Sequence, residues 1–150
     1  MATKTDLMNF STYILSASMV ALKSDGIASV PIQRASGSLT SPHVELSLLI
    51  NAPTGHSHTS GSVSEYDAWN FSLRALVVTN RITNDVSHSV YTSKVLNKLG
   101  DGRNYNMPFH AIPYLKPTQV VTGFDANAGL DHSTIYLDGQ VWIKPEFYLV

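Results

Sequence analysis

The stretch WNFSLRALVVT, residues 69–79, and the segment NDVSHSVYTSKVLNKLG, residues 84–100, decide how this chain folds. Trp69, Phe71, Leu73, Ala75 and Val77 recur at every second position, the period at which a strand places side chains on one face. Asn70, Ser72, Arg74, Leu76 and Val78 take the other face, which begins polar and ends apolar. That gradient predicts a strand over 66–79, buried on one side throughout and covered on the other only towards its C-terminal end. Asn84 and Asp85 then offer a helix cap. Val86, Val90, Tyr91, Val95 and Leu99 are spaced for a helix over 86–99, Lys94 and Lys98 suit its negative end, and Gly100 stops it.

Working outward, residues 5–23 read as a first helix with a wide apolar face. Leu7, Phe10, Ile14, Ala17 and Ala21 form one stripe, and Met8, Leu15, Met19 and Leu22 an adjoining one. Thr3 or Thr5 can cap it, and Asp25-Gly26 ends it. Residues 27–32 are β-branched but contain Pro31, which restricts them to an edge strand or an extended linker. Val44, Leu46, Leu48 and Ile50 alternate with more polar neighbours in a strand over 43–50. Residues 52–64, within APTGHSHTSGSVS, form a polar Gly/Ser/His/Thr loop suited to a flexible arm.

Beyond the second helix, Pro108 and Pro113 limit 107–115 to an edge position. Residues 118–124 are a further strand, and 125–131 a turn-rich loop. Residues 133–143 keep one alternation across Asp138-Gly139, which predicts one long strand with a bulge at Gly139 rather than a hairpin. Strands in runs with two helices give an α+β fold: a mostly antiparallel twisted sheet with two helices packed on one face, in one domain over 1–150.

The composition bounds the chemistry. The chain has 150 residues, a net charge of −1, no cysteine and a charged fraction of only 14%, against an average of about 25%. Neutral hydrogen-bonding groups are cheaper to desolvate than Lys and Glu, so this surface favours burial against a neighbouring subunit. Lys and Arg are scattered, which argues against sequence-specific nucleic-acid binding. The N-terminal apolar run is interrupted by Asp6, Asn9, Ser11 and Thr12 and is read as an amphipathic helix, not as a signal or membrane segment.

No catalytic set is found. His56 and His58 could share a metal from one face of a strand, but no third ligand is spaced nearby. His88 on the second helix has no nucleophile motif beside it and reads as a locally hydrogen-bonded histidine. DANAGLD, 125–131, lacks the third ligand and distal Glu of a calcium loop and reads as an Asx-rich turn. Arg81 could clamp a carboxylate or phosphate, its ordinary alternative being a local salt bridge with Asp85. Trp69 and Trp142 are expected to anchor core or interface.

The segments FSLRALVVTNRITNDVSHSVYTSKVLNKLG, NMPFHAIPYL and DHSTIYLDGQVWIKPEF, taken in order, resemble the small neck and tail-terminator (head–tail joining) structural proteins of tailed bacteriophages. The resemblance covers about 66–147 in arrangement. It implies a non-enzymatic virion protein without cofactor or membrane association, assembled in the host cytoplasm. Its partners would be itself, in a ring that is most often hexameric, and other neck, connector or tail-tube proteins. Its subunit interface would use the edges of strands 43–50 and 69–79 with the 52–64 loop reaching across, and His56, Ser57, His58, Thr59, Arg74 and Arg81 are the candidate contact residues. Two other readings stand beside it: a small ligand- or carbohydrate-binding α+β module stacking its ligand on Trp69, Tyr136 and Trp142, and a histidine-dependent metalloenzyme.

Overall fold

A computed structural model describes residues 6–31, 42–50, 56–57, 66–81, 87–105 and 115–143. Two helices and six strands are present: α1 (Asp6–Lys23), β1 (Ser29–Pro31), β2 (His43–Ile50), β3 (His56–Ser57), β4 (Tyr66–Asn80), α2 (His88–Leu99), β5 (Lys116–Asp125) and β6 (Leu130–Ile143), with a short 3-10 turn at Gly102–Asn104 after α2. The strands form one sheet in the order β1-β2-β4-β6-β5, with β3 paired to the start of β4. Among the described strands only β1–β2 is parallel, and every other pair is antiparallel. The architecture is the expected α+β fold with a mostly antiparallel sheet.

One face of the sheet carries the core. Val44 and Leu46 of β2, Phe71, Leu73, Ala75 and Val77 of β4, and Ile135 and Leu137 of β6 are buried there. They form a single cluster with Phe10, Ile14 and Leu22 of α1 and Tyr91, Val95 and Leu99 of α2. The odd-numbered face of β4 is thus the helix face. On the other face Arg74 is exposed and Val78 is 7% exposed, so the polar-to-apolar gradient along β4 is present.

α1 ends in a double-bonded turn. Gly26 N–H donates to the Lys23 carbonyl and Ile27 N–H to that of Leu22, with Gly26 at φ 73°. A side chain at Gly26 would strain that left-handed backbone.

Three local expectations are corrected. α2 begins at His88 with Ser87 as its extended N-cap, later than the Asn84-Asp85 cap, whose residues lie outside those described. Strand 69–79 is interior, because β4 lies between β2 and β6, and of strand 43–50 residues 44–46 lie between β1 and β4, while no described strand pairs with the outer side of 47–50. Gly139 is not a bulge: it pairs in continuous register with Phe71. The irregularity falls instead on β5, between Pro117 and Gln119, where proline's missing N–H interrupts the ladder. All of the 107–115 extended segment but Leu115, and all of the 52–64 loop but His56 and Ser57, lie outside the described residues.

Candidate functional site

Among the described residues the sheet ends in two unequal edges, β1 and β5. β5 lies last in the order, and no described strand pairs with its outer side. Residues 116–122 are exposed on both faces, because α2 packs over β4 and β6 while α1 packs over β1 and β2. At the other end β1 pairs only with residues 44–46 of β2, leaving the outer side of 47–50 without a described strand. An unpaired strand presents a row of backbone donors and acceptors that another strand can satisfy.

The exposed apolar residues gather at these edges. Among the described residues the large exposed hydrophobics are Val20, Leu49, Val90, Val120, Val121 and Phe124. Leu49 lies on the open stretch of β2 and the last three lie on β5. Val20 and Val90 stand apart on the two helices.

The sequence-derived contact residues are dispersed rather than gathered. His56 and Ser57 form β3, opposite Asp67 and Tyr66; His58 and Thr59 lie outside the described residues. Arg74 is exposed on the helix-free face, between Ser47 and Tyr136, and has no ion-pair partner among the described residues.

Arg81 is already engaged, and by a residue far away in sequence. Its Nε donates to Asp131 Oδ2 at 3.1 Å and its second terminal nitrogen to Oδ1 at 2.6 Å. Its guanidinium lies 3.7 Å from the Phe124 ring centroid, a cation–π contact. These bonds raise the Arg81 pKa and hold the Asp131 carboxyl below the usual carboxylate range. The described partner of Arg81 is thus Asp131, and the expected partner Asp85 lies outside the described residues.

Among the described residues the closest approach to a catalytic arrangement is centred on His88. Its Nε2 is 2.7 Å from Ser133 Oγ and its Nδ1 is 2.8 Å from Thr79 Oγ1. Thr122 Oγ1 lies 3.2 Å beyond, against Ser133 Oγ. Burial pushes the His88 pKa down, the nearby Asp131 carboxylate opposes that, and His132 adds to it. A serine–histidine pair of this length could carry nucleophilic chemistry if a substrate reached it. Ser133 is only 1% exposed, and neither ring nitrogen of His88 is oriented by a carboxylate. The group is a clamp: it fixes the first residue of α2 onto β4 and β6 and satisfies two buried hydroxyls.

The remaining candidates resolve structurally. Asp125 Oδ1 accepts from the backbone N–H groups of Asn127 and Ala128, so DANAGLD is an Asx turn, closed by Gly129 at φ 68°. Trp69 and Tyr136 sit on opposite faces of the sheet, since Trp69 pairs with Val141 and Arg74 with Tyr136; they cannot share one stacking platform. His43 Nε2 lies 2.9 Å from Glu45 Oε2. Among the described residues no group of three His, Cys, Asp or Glu side chains could hold a metal ion. No helix among them is long and apolar enough to cross a membrane.

No family model matches the chain, and no curated protein matches it either. Among solved structures it is similar to a chain of the "Virion of native gene transfer agent (GTA) particle", at 14% identity and a TM-score of 0.49, over 86% of this chain and 89% of that one. A likeness this weak carries no argument about function, which rests on the residues.

Proposed function

We propose that this chain is a structural subunit of a phage-like virion that closes into a ring at the neck or tail terminus, with six copies as the number implied by the sequence resemblance. The observation that carries the reading is the sheet whose outermost described strands, β1 and β5, each have an outer side that no described strand pairs. Such a subunit presents two different surfaces, and a heterologous contact between different surfaces generates a ring when the rotation closes. Low surface charge and the resemblance in segment order support the same reading. Its role is mechanical: to terminate polymerisation and offer a landing surface to connector or tail-tube proteins.

The test is mass in solution, by native mass spectrometry and light scattering across a concentration series, with electron microscopy of the particles. A closed ring of defined copy number is expected; a monomer at every concentration overturns the reading. Portal, major capsid or tape-measure genes beside the coding sequence are the expected genomic setting.

A further inference from the structure

We infer that Asp25 is a site of spontaneous isomerisation, in which the Gly26 backbone nitrogen attacks the Asp25 carboxyl and the chain is rejoined through the side chain as isoaspartate. The inference goes beyond the ring reading and is independent of it.

The chemistry favours an Asp-Gly pair, because glycine has no side chain to hinder its own nitrogen. The chain has three such pairs: Asp25-Gly26, Asp101-Gly102 and Asp138-Gly139. In the first step a bond forms between the glycine nitrogen and the carboxyl carbon. The amide proton and the carboxyl hydroxyl leave as water, and a cyclic imide results. In the second step water adds to the former main-chain carbonyl and breaks its bond to nitrogen. The net change is an isomerisation with no gain or loss of mass. Closing the imide forces a sharp local bend, so the fold decides which pair reacts.

Two of the three pairs are restrained. Asp138 lies within β6, opposite Ser72 on one side and Lys116 on the other, and Gly139 continues the ladder opposite Phe71. A bend there requires β4 and β5 to part from β6. Asp101 is gripped by Arg103. Its Oδ1 accepts from the Arg103 backbone N–H at 3.1 Å and from Nε at 3.0 Å, and its Oδ2 from a terminal guanidinium nitrogen at 2.8 Å. These bonds hold the Asp101 carboxyl down at about 2, deep in the ionised form, which has no hydroxyl to release.

Asp25 has neither restraint. Ser24, Asp25 and Gly26 are exposed, and the Asp25 carboxylate has no hydrogen bond or ion pair among the described residues. A Cβ placed on Gly26 would meet nothing within 4 Å, so the space beside the attacking nitrogen is open. One backbone bond of that nitrogen, to the Lys23 carbonyl at 2.9 Å, has to be released. The product carries an extra main-chain carbon inside the turn closed by the Ile27 N–H bond to the Leu22 carbonyl. Ile27 is buried, and the next carbonyl, that of Ala28, accepts from Val44 N–H of β2. Isomerisation therefore loosens the joint between α1 and the β1–β2 pair.

The test is to incubate the full-length protein for weeks at physiological pH, folded and in urea, and to locate isoaspartate in tryptic peptides by electron-transfer fragmentation. Residue 25 falls in the peptide 24–34. In the folded protein the isomerised fraction at Asp25 is expected to exceed those at Asp101 and Asp138 by about tenfold or more, since each factor of ten needs only about 1.4 kcal/mol of difference in local opening. In urea the three fractions are expected to be alike. Asp25→Glu, whose longer side chain closes an imide far more slowly, is expected to abolish the signal in 24–34. A folded-state fraction at Asp25 no greater than at either other site overturns the inference. So does an excess at Asp25 that persists in urea, or a signal in 24–34 that survives Asp25→Glu.

Discussion

The ring of Phe71 fills the space that a side chain at residue 139 would need. A Cβ added to Gly139 would lie 2.5 Å from Phe71 Cζ, 2.9 Å from Cε1 and 3.1 Å from a methyl group of Leu115. Phe71 is 1% exposed and meets Phe10 of α1 edge-to-face, at 4.9 Å between centroids. It is therefore held between α1 and the backbone of β6 and cannot retreat. Gly139→Ala is expected to cost about 1–3 kcal/mol through overpacking, and Phe71→Ala about 3–5 kcal/mol through the cavity it leaves. Urea unfolding of both variants measures this; an unchanged midpoint for Gly139→Ala would show that the ring can move aside.

The His88 clamp makes stability depend on pH. Burial favours the neutral ring, so the folded pKa lies below the ordinary 6.5. The unfolded chain then binds more protons than the folded one as pH falls below about 6.5, and stability declines until the folded pKa is passed. His88→Gln, which keeps a donor and an acceptor, is expected to flatten that slope. His88→Ala leaves the Thr79 and Ser133 hydroxyls without their partner and is expected to cost about 1–3 kcal/mol at neutral pH. Denaturant midpoints measured across a pH series for the three proteins check both effects.

The same clamp shows where sequence reading reaches its limit. Alternation in β2 and β4 made the buried face legible, because burial imposes period two on neighbouring residues of one strand. The end of α1 was legible because Asp25-Gly26 encodes it locally. His88 was read as a locally bonded histidine, but Ser133 is 45 residues away, and nothing in spacing announces such a partner. Arg81 and Asp131 are separated by 50 residues for the same reason. Strand order was not legible at all: 43–50 and 69–79 have strong strand patterns, and strands buried on one face commonly lie inside a sheet, as β4 does between β2 and β6. β5, with both faces exposed, has the weaker pattern that marks an edge.

Arg81 should hold the β5–β6 hairpin closed. Besides Asp131 and Phe124, its backbone N–H donates to the Gly129 carbonyl at 2.9 Å. Arg81→Ala removes the bidentate pair and the ring contact but keeps the backbone bond. Faster amide hydrogen exchange is expected around 124–131, with little change in β2. Because Arg81 depresses the Asp131 pKa, the pair's contribution is present above the unfolded value of 3.8 and is lost as pH falls through the lower folded one. Arg81→Lys, which cannot form the bidentate fork, should exchange nearly as fast as Arg81→Ala; exchange at the wild-type rate in Arg81→Ala would show that the backbone bond alone suffices.

Tyr105 ties the end of α2 to α1. Its hydroxyl donates to the Leu99 carbonyl at 2.9 Å, one of the last carbonyls of α2, and lies 3.3 Å from the Ser18 hydroxyl of α1. Ser18 in turn donates to the Ile14 carbonyl at 2.8 Å. The side chain is 4% exposed, and burial pushes its pKa up to about 12. The folded state thus opposes ionisation, and the stability Tyr105 lends is intact below the unfolded value of 10.0 and is lost as pH rises towards about 12. Tyr105→Phe keeps the ring packing but strands a buried carbonyl, which is expected to cost about 1–3 kcal/mol at neutral pH. It should also remove a late-titrating tyrosine from the absorbance titration of the folded protein. A Tyr105→Phe protein with unaltered stability would mean that another donor reaches the Leu99 carbonyl when the hydroxyl is gone.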